Sequence, residues 1–441
     1  MTTDATHDPT LRSWVTSAHE TGCDFTLQNL PLGAFRPAGS AAAPRLGVAI
    51  GDRVLDLAHA RAAGWLDGLH VEAVEACGEP TLTPLFAVGR AALTALRGRL
   101  SVLLRADTPE GARARDDGAL TIPMAEVEMA LPAAVGDYTD FYASIDHAMN
   151  VGRMFRPDNP LLPNYRHVPI GYHGRASSLV VSGTPVRRPR GQTVAAPEGP
   201  PTFAPSGRMD YELEVGALIA GGNALGATIP LAEAEAHLAG LVLVNDWSAR
   251  DIQTWEYQPL GPFLSKSFAT SVSPWVMTLD ALAPFRVPAR ARDAGEPPPL
   301  AYLNDAANEA AGGIALTLEA WLRTARMREA GEAAVRLSNG SFTRMYWTLG
   351  QLLTHHASNG CNLRPGDLLA SGTVSGPTPG SRGCLLELAE RGSKPVTLPN
   401  GETRQFLADG DEVILRGWCE RPGAARVGLG ECRGVLLPSA G

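Results

Sequence analysis

The stretch YELEV (211–215) sets two carboxylates, Glu212 and Glu214, into an otherwise apolar segment that ends at Ile219. Side chains alternate along a strand, so these two share one face while Leu213 and Val215 share the other. Their Cα atoms then lie about 6–7 Å apart, and at an effective dielectric near 20 the pair repels by about 2–3 kcal/mol. One wet face of an antiparallel strand would disperse that repulsion into solvent. Gly216 and Leu218, next on the same side, are not polar and do not suit an exposed ribbon.

Two further groups carry chemistry-bearing residues. Asp140 and His147 lie seven residues apart in DYTDFYASIDHAMNVGRMFR (137–156). A helix opening at Thr139 or Asp140 puts them within about 20° of one face; a cap and a satisfied buried histidine would explain the same residues. LVLVND (241–246) is apolar enough for a central strand, with Asp246 at its carboxyl end. A short helix from near Ser248 then sets Arg250, Gln253 and Tyr257 on one face. Trp255, Tyr257 and Phe263 are costly as plain surface, which favours a site over a salt-bridged exterior face. Only two of the 38 basic residues are lysine, Lys266 and Lys394. In an arginine-biased chain a retained lysine marks a place where the guanidinium fork does not fit.

Asp140, Glu212, Glu214 and Asp246 together offer four carboxylates and no thiol or imidazole. Oxygen-only ligation selects a hard cation, Mg²⁺ or Ca²⁺, over Zn²⁺ or Cu²⁺. Four carboxylates around a divalent ion leave a formal charge of −2, which Arg250 and Lys266 can balance; Lys266 is thus read as the ion's neighbour, and Thr270 as an additional candidate at the metal site. His355 and His356 point some 100° apart on a helix and read as packing and capping. Cys361 shows no activating partner and reads as structural. HExxH, Walker, GxSxG, GxGxxG and EF-hand patterns are absent.

The elements that must position these residues read as mainly β with short helices. RLGVAIGDRVLDL (45–57) alternates around Gly51-Asp52 as a hairpin, and 85–105 is an amphipathic helix. Strands are expected at 208–219, 238–246 and 409–419, a helix at 345–360, and a solvent loop at 286–312. Near residue 131 the vocabulary shifts to aromatics, Gly and His, which divides the chain into 1–131 and 132–441. The 441 residues carry a net charge of −8 with no basic stripe, which argues against nucleic-acid binding. Six scattered cysteines, no long apolar run and no leader pattern lead to the expectation of a cytoplasmic protein with no membrane partner.

DYTDFYAS, HAMNVGRMFR, PIGYHGRASS, YELEVG, VNDWSARDIQTWEYQPLGPFLSKS and HHASNGCNLRPGDLLASGTVSG closely resemble the fumarylacetoacetate hydrolase family. DFTLQNLPLGAF and RLGVAIGD extend the resemblance over nearly the whole chain. It implies a small SH3-like barrel over 1–131, a catalytic β-sandwich roll over 132–441, and a homodimer. The implied reaction is metal-dependent hydrolysis of the carbon–carbon bond of 4-fumarylacetoacetate to fumarate and acetoacetate, the last step of tyrosine and phenylalanine catabolism. Acylpyruvate hydrolysis and oxaloacetate decarboxylation are the alternatives within the superfamily. Carried over by position, Asp140, Glu212, Glu214 and Asp246 resemble the metal ligands, with Mg²⁺ or Ca²⁺ as cofactor. His147 resembles the base, paired with Glu387, and Arg250, Gln253 and Lys266 resemble the groups that hold the oxyanion. Tyr142, Arg156, Tyr172, Gln253, Tyr257 and Thr373 resemble contacts to a small diketo-acid substrate. Asp146 beside His147 is a departure that favours imidazolium; Ser265 and Thr254 replace an expected Gly and Lys.

Overall fold

The hairpin forms where alternation places it. Arg45–Ile50 and Arg53–Asp56 pair antiparallel around Gly51 at φ 55°, a value that glycine adopts without strain. A computed structural model describes residues 2–196 and 199–440. Asp56 closes the second strand and caps the helix Leu57–Ala62 through the N–H groups of Ala58 and His59. The amphipathic segment at 85–105 is two helices, Thr83–Val88 and Arg90–Leu104, because Gly89 sits between them at φ 99°. The second helix buries Leu93, Leu96, Leu100 and Leu103 on one side, the spacing of a core-facing stripe.

The N-terminal strands do not make the expected SH3-like barrel. Thr121–Pro123, Arg53–Asp56, Arg45–Ile50 and Leu32–Pro37 run in that order as an open antiparallel array. Leu32–Pro37 then pairs with Trp275–Thr278, so the array continues directly into the strands of the C-terminal part as one thirteen-stranded sheet. Among the described residues no sheet closes into a barrel.

The middle of that sheet carries the site. Leu213–Ile219 lies antiparallel to Leu238–Asp246, with Leu213 opposite Asn245 and Glu214 opposite Val244. Leu368–Ala370 flanks the first strand, and Tyr138–Phe141 runs parallel to it with Asp140 beside Ala370. Every residue of both central strands is buried, so the wet-face explanation of the glutamate pair does not hold. A five-stranded sheet that includes Thr317–Arg323, Glu412–Arg421 and Ala424–Leu437 packs across it. Gly417 lets the layers approach, since a Cβ there would meet Leu243 and Leu429 at 3.1 Å and Leu318 at 2.9 Å. The layers share one core, to which Leu213, Val215, Leu243, Trp247 and Trp347 all belong.

Three local expectations change. Asp140 lies in a strand, and the helix Ile145–Phe155 starts five residues later, capped by Ser144. The helix expected at 345–360 is Leu349–Ala357, because Thr348 and Gln351 form a capping box that fixes its start. The 286–312 segment is not a plain solvent loop: it contains the helix Ala306–Ala311 and lays Arg292 against the rings of Tyr346 and Trp347 at 4.5 and 4.7 Å. His355 and His356 are held by Tyr302 and Thr139, in keeping with packing. No described helix is long and apolar enough to cross a membrane.

Gly372 links the Leu368–Ala370 strand to Thr373 at φ 74°, and a Cβ there would lie 2.1 Å from the Phe141 carbonyl oxygen. Gly372→Ala therefore loses at least about 1–3 kcal/mol of stability through strain and clash. Urea unfolding measures this, and an unchanged midpoint and slope would contradict the close approach.

Candidate active site

Strand ends bring the acidic residues together. Asp140 comes from Tyr138–Phe141, Glu214 from Leu213–Ile219 with Glu212 just before it, and Asp246 from the end of Leu238–Asp246. One oxygen from each of the four lies within 4.8 Å of the others, and all four residues are buried. Lys266 Nζ donates to Glu212 Oε2 at 2.5 Å and Asp246 Oδ2 at 2.8 Å. Arg250 Nη1 reaches Glu212 Oε1 at 2.8 Å and Gln253 Oε1 at 3.1 Å. Tyr172 donates to Asp246 Oδ2 at 2.9 Å, and Thr270 to Asp246 Oδ1 at 2.9 Å. Thr270 thus steadies a carboxylate of the cluster.

The electrostatics divide the four carboxylates. Burial and the Asp246 charge push Asp140 well above the carboxylate range, and burial with the Asp140 charge does the same to Glu214. Burial also raises Asp246, with Lys266 opposing it. Glu212 goes the other way: burial would raise it, but Lys266 and Arg250 hold it well below. Burial would strip the proton from Lys266, yet Asp246 and Glu212 keep the ammonium charged.

Both oxygens of Glu214 and Oδ1 of Asp140 have no hydrogen-bond partner although fully buried. Buried oxygens of that kind cost free energy unless something satisfies them. Three orphaned carboxylate oxygens converging with two salt-bridged carboxylates fit a divalent cation of the oxygen-binding type. The residues present can hold a metal ion.

Beside the cluster, His147 Nδ1 and Glu387 Oε2 are 2.7 Å apart. A carboxylate only accepts, so Nδ1 carries a proton in that bond and Nε2 is the ring nitrogen that Glu387 does not engage. Glu387 is fully satisfied: Asn150 donates to Oε1 at 2.8 Å, and Ser375 and Cys384 donate to Oε2 at 2.7 and 3.2 Å. The Tyr142 ring stands edge-on to His147 at 5.3 Å. Thr373 Oγ1 and Arg250 Nη2 are buried without partners. Arg156 and Tyr257 stay outside the buried group: Arg156 is exposed where the 145–155 helix ends, and Tyr257 is exposed after the 250–256 helix. The Asp146 charge that seemed set to act on His147 is instead bound in two-point fashion by Arg344, at 2.9 and 3.2 Å.

Sequence reasoning missed the supporting residues. Asn150 lies three residues after His147, on the same helix face, so its spacing was a usable signal. Asp210, two residues before Glu212 on the same side of the segment, was another. Ser375 and Cys384 reach Glu387 through tertiary folding and left no local signal.

Residues 138–436 match the family model described as fumarylacetoacetate (FAA) hydrolase C-terminal, and residues 28–132 match fumarylacetoacetase N-terminal. The chain is 49% identical over 423 residues to the fumarylacetoacetase of Homo sapiens, covering 94% of this chain and 97% of the relative. It is 47% identical over 420 residues to that of Arabidopsis thaliana, covering 94% and 96%. Among solved structures, a fumarylacetoacetate hydrolase from the psychrophile Exiguobacterium antarcticum shares the fold at TM-score 0.51 and 16% identity, over 93% of this chain and 99% of that one.

Burial alone would raise the Glu387 carboxyl, but His147 and the hydrogen bonds from His147, Asn150 and Ser375 hold it below 4.5. A carboxyl lowered on folding adds stability that is full above its unfolded value and is lost as pH falls through the folded one. Glu387→Gln therefore destabilises the protein more at pH 7 than at about pH 3. Urea unfolding at both pH values tests this; an equal loss at each would contradict it.

Proposed function

The chain belongs to the fumarylacetoacetate hydrolase family, and on that premise we propose that it hydrolyses 4-fumarylacetoacetate to fumarate and acetoacetate at the carboxylate cluster and the His147–Glu387 pair. The observation that carries this reading is the buried, hydrogen-bonded His147–Glu387 pair set beside buried, partnerless carboxylate oxygens. Acylpyruvate hydrolysis and oxaloacetate decarboxylation are not favoured, since relatives matched over 94% of the chain are fumarylacetoacetases.

Asp140, Glu212, Glu214 and Asp246 hold the metal ion in this reading, and their oxygen-only donors suit Mg²⁺ or Ca²⁺. When bound, the ion supplies Lewis acidity to the substrate's diketone oxygens. His147 Nε2 takes a proton from water as the water oxygen adds to the carbonyl carbon of the fumaryl group. Glu387 keeps the ring oriented and stabilises the imidazolium that forms. Arg250, through its free Nη2, together with Gln253 and Lys266, faces the alkoxide of the tetrahedral adduct. Collapse of the adduct breaks the carbon–carbon bond, leaving fumarate with the water oxygen. His147 returns its proton to the departing acetoacetate carbon, and the second water proton leaves as the new fumarate carboxyl ionises.

Tyr142, Tyr172 and Thr373 line the reacting end, with the Thr373 hydroxyl free to donate. Arg156 and Tyr257, at the exposed rim, take the outer carboxylate; the guanidinium fork suits two-point binding of that group. The resemblance to the family also supports a homodimer, a roll-like C-terminal β-sandwich over 132–441, and a cytoplasmic place in tyrosine breakdown.

Purified protein should release fumarate and acetoacetate from fumarylacetoacetate, lose that activity on chelation, and regain it with Mg²⁺ or Ca²⁺. His147→Ala should lower kcat by about 10³-fold or more while metal affinity stays within about threefold. Folded, metal-loaded wild type that leaves the substrate intact would falsify the reading.

A further inference from the structure

We infer that Asp210 is a positioning residue for this reaction: it fixes the Arg250 guanidinium so that Nη2 alone is presented to the substrate. The inference rests on the proposed role of Arg250.

Asp210 is wholly buried, and both of its oxygens are occupied. Oδ1 accepts from the backbone N–H groups of Tyr211 at 2.9 Å and Leu385 at 2.7 Å. Oδ2 accepts from the Leu386 N–H at 2.9 Å and from Arg250 Nε at 2.9 Å. Three backbone donors thus hold the carboxylate rigidly, and the fourth contact is the edge of the arginine. The guanidinium is planar, so fixing Nε and Nη1 fixes the plane and direction of Nη2. Nη1 is already committed to Glu212 and Gln253. Nη2 is left buried and without a partner.

That arrangement does two things for an oxyanion site. It leaves a donor unused in the resting protein, so no hydrogen bond must break when negative charge develops. It also prevents the long arginine side chain from turning both terminal nitrogens onto Glu212, which would otherwise consume the free donor. Leu385 and Leu386 directly precede Glu387, so the turn that carries the histidine's partner also anchors Asp210. Positioning of this kind acts on the rate more than on substrate affinity.

An amide cannot replace the carboxylate: it offers one accepting oxygen and would turn an NH₂ toward two N–H donors. Asp210→Asn should lower kcat by about 10²-fold with KM within about threefold. In an Arg250→Ala background the same change should cost less than about threefold more, because its effect passes through the arginine. Losses that multiply across the two backgrounds would overturn the inference and leave Asp210 a purely structural residue.

Arg250→Lys tests the same claim without disturbing residue 210. Lysine keeps the charge but has no Nε edge for Asp210, so its kcat should fall to within about threefold of Arg250→Ala. A lysine variant as active as wild type would overturn the inference. The spectroscopic counterpart needs no turnover: a slowly exchanging arginine Nε–H signal lost in Arg250→Lys should also be lost in Asp210→Asn. Its survival in Asp210→Asn would overturn the inference. Inactive wild type would instead count against the reaction itself, with the Nε–H signal still deciding the role of Asp210.

Discussion

Four carboxylates with oxygens inside a 4.8 Å neighbourhood, all out of water, form the constraint on which this molecule turns. At an effective dielectric near 20, each pair at that separation repels by about 3 kcal/mol. Lys266 and Arg250 neutralise part of the charge, but their contacts fall on Glu212 and Asp246. Among the described residues no cationic side chain pairs directly with Asp140 or Glu214, and burial and neighbouring carboxylates drive both well toward the protonated form. The protein has answered half of the cluster's charge with side chains and left the other half for an ion.

That asymmetry explains much of the surrounding architecture. Adjacent strands can converge on a charged centre only if their remaining residues make a core strong enough to hold them, and both central strands are buried along their whole length. The second sheet and Trp247 complete that core. Arg250 must serve three carboxylate and amide partners without losing its free nitrogen, which calls for a rigid acceptor at Asp210. Glu387 is likewise surrounded by donors, so the histidine beside the cluster is held in one tautomer instead of being drawn to the nearest acid. The His147–Glu387 pair, satisfied by protein donors, and the carboxylate cluster, only partly satisfied by them, stand side by side.

The sequence displayed the ingredients of the site more clearly than their arrangement. The YELEV doublet and Asp246 at the end of an apolar run could be read because each is a charged residue where local pattern calls for an apolar one, and Lys266 because it is one of only two lysines among 38 basic residues. Asp140 was found by type but assigned to the wrong element, since Ser144, not Thr139 or Asp140, caps the helix that carries His147. The N-terminal barrel failed for a non-local reason: Leu32 and Gly33 pair with Val276 and Trp275, some 240 residues away, and that pairing opens the array into the main sheet. The 286–312 stretch looked solvent-like by composition, yet Arg292 stacks on aromatics more than fifty residues later. Residues whose partners lie far along the chain left no periodicity to read.

The claim that an ion completes the carboxylate cluster is tested most directly by anomalous diffraction from crystals soaked in Mn²⁺, a probe for the oxygen-donor site. The account predicts one strong peak within about 2.0–2.6 Å of oxygens from Asp140, Glu212, Glu214 and Asp246, with the Lys266 ammonium outside bonding distance. No peak there, with Asp140 and Glu214 closed onto each other by a shared proton, would contradict it.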